Sequence, residues 1–256
     1  MASLFCKQAG SYATARPRYP EELYKLLASW TPEHRRAWDV GTGNGQSAVG
    51  LADYYEEVVA TDVSEEQLSY AERRPNITYA ATSAGAVSME EVRRVVGGDG
   101  SLDLVTAAQA VHWFDLSSFY SHVQRLLKPA GIIAVWCYTN PEVNDKVDVV
   151  LEKLFQSSLP YWSQSVELVY KGYETLDFPF KPILDGKIIR MDAMRETNLD
   201  GYLGYLDSWS ATNTARNQGV ELLNSDVKEA LREAWGSPSQ IHTLRFPLYA
   251  KIGSRL

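Results

Sequence analysis

The chain has 256 residues with 25 basic against 32 acidic side chains, a net charge of -7, and no cluster of five or more Lys or Arg. That length suits one full α/β domain or one domain with a modest cap, and that charge gives no electrostatic footprint for nucleic acid. No window reaches the roughly 18 apolar residues of a membrane helix and the first twenty residues lack a signal-peptide core, so a cytoplasmic protein with no membrane partner is expected. Two cysteines, Cys6 and Cys137, and four scattered histidines argue against a disulfide framework and against a structural metal. Seven Trp and fifteen Tyr suggest an aromatic-lined pocket.

Residues 7–20, KQAGSYATARPRYP, read as an arm or lid, with a short helix near residues 5–14 ended by the prolines. Pro20 then opens a helix over residues 21–30 with Leu23, Leu26, Leu27 and Trp30 on one face. A short apolar run ends in Asp39 and passes at once into Gly41, Gly43 and Gly45, a strand giving way to a tight turn, followed by a helix over residues 46–55. Three glycines in five residues suit a backbone that takes positive φ or approaches a ligand closely. A phosphate-binding loop would need Lys and then Ser or Thr after the glycines, where Gln46 and Ser47 stand. A dinucleotide GxGxxG would place its third glycine at Gln46, so it fails by one position.

Residues 57–61 form the second strand, ending on Asp62, which lies 21 residues beyond Gly41. At that distance α/β nucleotide folds place the carboxylate that receives a ribose diol. The other role for Asp62 is a helix cap, but Ser64 and Gln67 already supply a capping box for the helix over 65–74. A third strand follows over 77–82. A helix over 88–96 has Ser88 and Glu91 in capping-box register. Residues 101–106 are the fourth strand, and AAQAVHWFD (107–115) runs off its end with the composition of a ligand-binding carboxyl edge rather than a uniformly buried strand. Residues 116–127 are helix, Lys128 to Gly131 a turn, and 132–138 the fifth strand. Beyond it, helices are expected over 145–155, 199–209 and 225–235 and a strand over 187–196. A last strand over 241–252 is expected at an edge or a bulge because of Pro247.

The glycine series D-V-G-T-G-N-G (39–45) resembles the first motif of class I S-adenosylmethionine-dependent methyltransferases. Together with V-A-T-D (59–62), the run 103–115 and the Pro129-Ala130-Gly131 turn, the resemblance to that family covers almost the whole chain. The N-terminal Y-x-x-x-R-P-x-Y-P (12–20), the His-Trp-Phe run and Y-L-x-x-W-S (205–210) narrow it to the trans-aconitate methyltransferase-like branch and its plant relatives. The resemblance implies an α/β, Rossmann-like seven-stranded sheet with its last strand antiparallel, in a single domain over 1–256. An arm or lid over 1–30 and cap elements over 139–240 belong to that domain. It implies S-adenosyl-L-methionine as cofactor, S-adenosyl-L-homocysteine as product and no metal. The expected partner is a small-molecule acceptor for a monomer or homodimer.

Residue by residue, the resemblance implies that Asp39, Gly41, Thr42, Gly43 and Gly45 wrap the methionine moiety and that Asp62 takes the ribose hydroxyls. Val63 would cover adenine, Gln109 would lie beside the sulfonium, and Lys7 and Tyr12 would close over the cofactor from the arm. Many relatives have an acidic residue after the third strand for the adenine amino group. Here Ser83, Ala84 and Gly85 stand there, so their hydroxyl or backbone groups would serve instead. For a carboxylate acceptor, Arg16, His112, Tyr138, Arg190 and Trp209 are the candidates to orient its oxygens. For an amine or phenol, His112 is the candidate general base. Trp136 and Trp209 line the acceptor pocket or fill the seam between cap and sheet.

Overall fold

A computed structural model describes residues 16–83 and 88–256. Strands β1 (Arg36–Val40), β2 (Glu57–Asp62), β3 (Ile77–Ala81), β4 (Leu102–Ala108) and β5 (Leu127–Tyr138) are parallel. After them come β6 (Lys181–Pro182), β7 (Ile189–Thr197) and β8 (His242–Ser254). The order across the sheet is β3-β2-β1-β4-β5-β8, with β6 and β7 sharing the outer edge of β8. The last strand, β8, runs antiparallel to β5 and to both outer strands.

Both faces of the sheet are covered, and alternation along each strand decides which side chain goes where. In β5, Ile132, Ala134, Trp136 and Tyr138 enter one core while Ile133, Val135 and Cys137 enter the other. The first core is closed by α1 (Glu21–Trp30), α2 (Gln46–Leu51), α6 (Asp145–Ser158), α8 (Leu199–Asp207) and α10 (Ser225–Trp235). The second is closed by α4 (Met89–Val96), α5 (Leu116–Leu126) and the segment from Val169 to Phe180. Between them in chain order lie α3 (Glu65–Ser69), α7 (Glu167–Tyr170) and α9 (Ser210–Asn217).

Several elements differ from the sequence reading. The helices expected over 46–55 and 65–74 stop at Leu51 and Ser69. Lys128 to Gly131 is not a free turn but part of β5, where the ladder with β4 shifts register between Leu102 and Leu104. The bulge absorbs Pro129, which could not donate to a regular ladder. Strand β8 is not an edge, since β5 and β7 flank it. Pro247 is tolerated because its last regular neighbour on the β5 side is the pair Tyr138↔Leu248, and only Thr139 N–H reaches the Pro247 carbonyl, at 3.0 Å. The missing N–H therefore falls just past the end of the β5 ladder. Finally, the helix expected over 199–209 ends at Asp207, and Trp209, in extended backbone, starts α9.

Candidate active site

The carboxyl ends of β1, β2 and β4 border a cavity of about 550 Å³, and a second of about 100 Å³ adjoins it. Arg16, Gln109, Trp113 and Tyr138 line both and form the junction.

The glycine turn builds the floor of the larger cavity. Gly41, Thr42 and Gly43 line it. Gly43 has φ of 57°, and a Cβ there would meet nothing within 4 Å, so the backbone lies bare toward the cavity. Gly45 serves a different purpose. It caps α2 at φ 82° beneath Tyr79, whose hydroxyl lies where a Cβ would project, and it does not line the cavity.

Asp39 is fully buried beneath the turn, accepting the hydroxyls of Thr42 at 2.5 Å and Thr106 at 2.6 Å. Burial pushes its pKa up to about 6 against those bonds. Its side chain thus braces the turn rather than facing the cavity. Asp62 does face it, with one oxygen held by Gly43 N–H at 2.8 Å and the other by Ser64 N–H at 2.9 Å. Ser64 Oγ independently accepts Gln67 N–H as the cap of α3. Each Asp62 oxygen keeps acceptor capacity for a ligand hydroxyl, and Val63, 45% exposed, stands beside it on the cavity wall.

Gln109 follows β4 at φ 52°, a conformation costly for a residue with a side chain. Its N–H reaches the Trp136 carbonyl at 2.8 Å, and its Nε2 donates to the Tyr138 carbonyl at 3.0 Å. That second bond fixes the amide, leaving Oε1 buried without a partner among the described residues. An acceptor without a donor, together with the Asp62 carboxylate, fits a ligand rich in hydroxyl and ammonium donors, as S-adenosylmethionine is.

Beyond β3, Ser83 lines the cavity, but its N–H and hydroxyl are both held by the Glu91 carboxylate at 2.8 to 3.0 Å. Ser88 Oγ caps α4 through Glu91 N–H, so the expected capping box is half made: the Glu91 side chain leaves it to clamp Ser83. Lys7, Tyr12, Ala84 and Gly85 lie outside the described residues.

The smaller cavity is walled by Trp113, Trp162, Tyr170, Tyr205 and Trp209. The break between α8 and α9 turns Trp209 inward, 2% exposed. Arg16 donates to the Tyr138 hydroxyl at 3.3 Å and to the Ser208 carbonyl at 3.1 Å, with its guanidinium 5.2 Å from the Tyr205 ring centroid. His112 lines this cavity, its Nδ1 2.9 Å from the Tyr173 hydroxyl. Burial lowers its pKa to about 3, so the ring is neutral in ordinary buffers. Arg190 is not brought to either cavity: on outer strand β7 it pairs with Glu174 at 3.4 Å and lies over Tyr249. Trp136 is buried edge-on to Tyr19 at 5.4 Å and lines neither cavity, so it fills the seam. Sequence reasoning misses Tyr19, Phe114 and Tyr173. The first two stand in quoted motifs, whereas nothing local marks Tyr173.

No group of three or more His, Cys, Asp or Glu able to hold a metal occurs among the described residues, and no described helix is long and apolar enough to cross a membrane. Residues 38–135 match the family model described as a methyltransferase domain. A Dictyostelium discoideum protein designated a methyltransferase by assignment is 31% identical over 254 residues, covering 96% of this chain and 92% of its own. The solved structure of an Anaeromyxobacter dehalogenans protein, designated a type II methyltransferase by assignment, superposes with a TM-score of 0.81. It is 33% identical and covers 94% of this chain and 98% of its own. The methyltransferase pgmE of Aspergillus terreus is 26% identical over 199 residues, and the match spans 66% of this chain and 58% of that protein. With the strand order, the glycine turn and the acceptor groups of the larger cavity, these matches establish that the chain belongs to the class I S-adenosylmethionine-dependent methyltransferases.

Proposed function

We propose that the protein methylates a carboxylate oxygen of a small organic acid, as the resemblance to the trans-aconitate methyltransferase-like branch implies. The observation that carries this reading is the lining of the smaller cavity: Arg16 is its cation, and no Asp or Glu is among its described lining residues. A cationic amine would meet aromatic walls and an arginine, whereas an anion meets a guanidinium of fixed charge in a partly dry pocket.

When bound, S-adenosylmethionine supplies a methyl group already activated on sulfonium, and an ionised carboxylate needs no base to accept it. The protein's part is then alignment and exclusion of water. Gly41 to Gly43, Asp62, Val63 and Gln109 would hold the cofactor in the larger cavity. Arg16, with Tyr138 beside it, would orient the acceptor's oxygens at the junction, and the aromatic walls would keep water out. The N-terminal segment acts in this reading as an arm over the site, since Arg16 and Tyr19 reach Tyr138 and Trp136. The segment after β5 supplies the cap, through Trp162, Tyr205 and Trp209.

Incubation with methyl-labelled S-adenosylmethionine and a panel of small organic acids including trans-aconitate, read by mass spectrometry, is expected to yield methyl esters. Arg16→Ala is expected to raise KM for the acid about 10–100-fold, the loss of a charge-assisted bond. Transfer to amines or phenols but to no acid would reject the reading.

A further inference from the structure

Tyr173 is fully buried and far in sequence from the motifs of the site, yet its hydroxyl ends 2.9 Å from the Nδ1 of a cavity residue. Its position is tightly determined. It has φ of 58° and follows Gly172 at φ 56°, and Gly172 packs so closely under the Tyr249 ring that a Cβ would come within 2.8 Å. Its N–H donates to the Leu168 carbonyl at 2.8 Å, and its carbonyl accepts Lys251 Nζ at 3.2 Å. The bonds that close the end of α7 hold Tyr173 in left-handed backbone, which fixes where its side chain enters the core.

We propose that Tyr173 is a positioning residue that fixes His112 with its proton on Nε2, so that His112 offers the acceptor a hydrogen-bond donor and not a base. Hydrogen-bond satisfaction decides the tautomer. Among the described residues, the partner of the buried Tyr173 hydroxyl is His112 Nδ1. If Nδ1 carried the ring proton, the phenolic O–H would be left buried with no acceptor, whereas the reverse assignment leaves only an oxygen lone pair unused. Nδ1 therefore accepts. In a neutral imidazole the proton must then sit on Nε2, and burial keeps the ring neutral. His112 lines the smaller cavity and its Nδ1 is taken by Tyr173, so Nε2–H is the polar group the ring can offer a ligand there.

This rests on the proposed acid-methylating function and sharpens it. Arg16 and the His112 Nε2–H together give an ionised carboxylate two donors from different elements. A phenol or ammonium acceptor, which must lose a proton, finds no proton acceptor at His112. Specificity for already ionised acceptors would thus be set partly by a residue that does not touch them.

The direct test is proton-coupled nitrogen NMR on the full chain labelled with ¹⁵N-histidine, with the His112 signals identified by their absence in His112→Gln. The wild type is expected to show the Nε2–H tautomer in at least about tenfold excess, consistent with the cost of a lost buried bond. Tyr173→Phe is expected to reduce that excess while S-adenosylhomocysteine binding is retained. A wild-type Nδ1–H tautomer, or a ratio unmoved by Tyr173→Phe in folded protein, would overturn the proposal. Should Tyr173→Phe not fold, a second comparison decides. A glutamine side chain in place of the imidazole would still offer an N–H donor but no base, so His112→Gln is expected to methylate trans-aconitate at least about tenfold faster than His112→Ala. Equal loss in both would count against the donor role. If no acid is methylated at all, the functional reading fails, and the tautomer ratio still stands or falls by itself.

Discussion

Asp62 joins two tasks in one side chain. Its oxygens accept Gly43 N–H and Ser64 N–H, so the carboxylate ties the glycine turn to the start of α3 while facing the larger cavity. Burial raises its pKa above the ordinary carboxylate value despite those bonds. The structural task asks only for acceptors, whereas binding the two hydroxyls of a ribose asks for acceptors with charge. Asp62→Asn separates the two, because the amide keeps the shape and one acceptor but turns a donor toward the ligand or the turn. S-adenosylhomocysteine affinity measured by calorimetry is expected to fall about 10–100-fold, the range for bonds to a charged group. The melting temperature should move by only a few degrees. Unchanged affinity would remove Asp62 from the cofactor site. Asp39 stands in contrast. It too lies near the end of a strand beside the glycines, and nothing in its local sequence tells that its carboxylate is spent on Thr42 and Thr106. Thr106 lies 67 positions away and becomes its neighbour only when β4 pairs with β1.

Elements are legible where one periodicity dominates. The short β-branched apolar run of β5, set off by Pro129 and Gly131, reads as a strand, and the acidic first turn and single apolar face of α1 read as a helix. The helix expected over 225–235 appears with those bounds, capped by Asn224. The misreadings at Pro129 and Pro247 share a cause: the effect of a proline depends on the neighbouring strand. Pro129 sits in a bulge and Pro247 beyond the end of the β5 ladder, and neither placement is readable before the pairing is known. The inward turn of Trp209 follows from Ser208, whose hydroxyl bonds back to the Tyr205 carbonyl at 2.6 Å and helps close α8. Arg190 is an attractive candidate by charge alone, and its place on outer strand β7 carries it away from both cavities. The His-Trp-Phe run shows the opposite case, where a local signal sets an element. Asp115 closes the run and accepts Ser118 N–H at 3.1 Å as the cap of α5, which covers the second core. Asp115→Ala is expected to cost about 1 kcal/mol, roughly 2–4 °C in a chain of this size, measured by urea or thermal unfolding. A loss several times larger would mean that Asp115, which also borders the larger cavity, carries a second contact.

At the scale of the whole molecule, two buried groups set how stability depends on pH. Burial disfavours the charged forms of both Asp39 and His112, and their contributions run in opposite directions. The folded pKa of Asp39 is raised from 3.8 to about 6. Folding therefore favours its protonated form, and that contribution is complete below about pH 4 and lost as pH rises through about 6. The folded pKa of His112 is lowered from 6.5 to about 3, so its contribution is present above about pH 6.5 and lost as pH falls toward 3. Between about pH 4 and 6 the two slopes offset each other, and wild-type stability should be flatter there than either group alone would give. Asp39→Asn removes one slope. The difference in unfolding free energy between Asp39→Asn and wild type should shift in the variant's favour by on the order of 2–3 kcal/mol between pH 4 and pH 8. The absolute effect of the amide on the two threonine bonds cancels in that comparison, because it is present at both pH values. Urea unfolding of both proteins at the two pH values measures the shift directly. A difference that does not change with pH would show that Asp39 ionises in the folded protein as easily as in water. It would also show that the carboxylate beneath the glycine turn is solvated in a way its two threonine partners do not suggest.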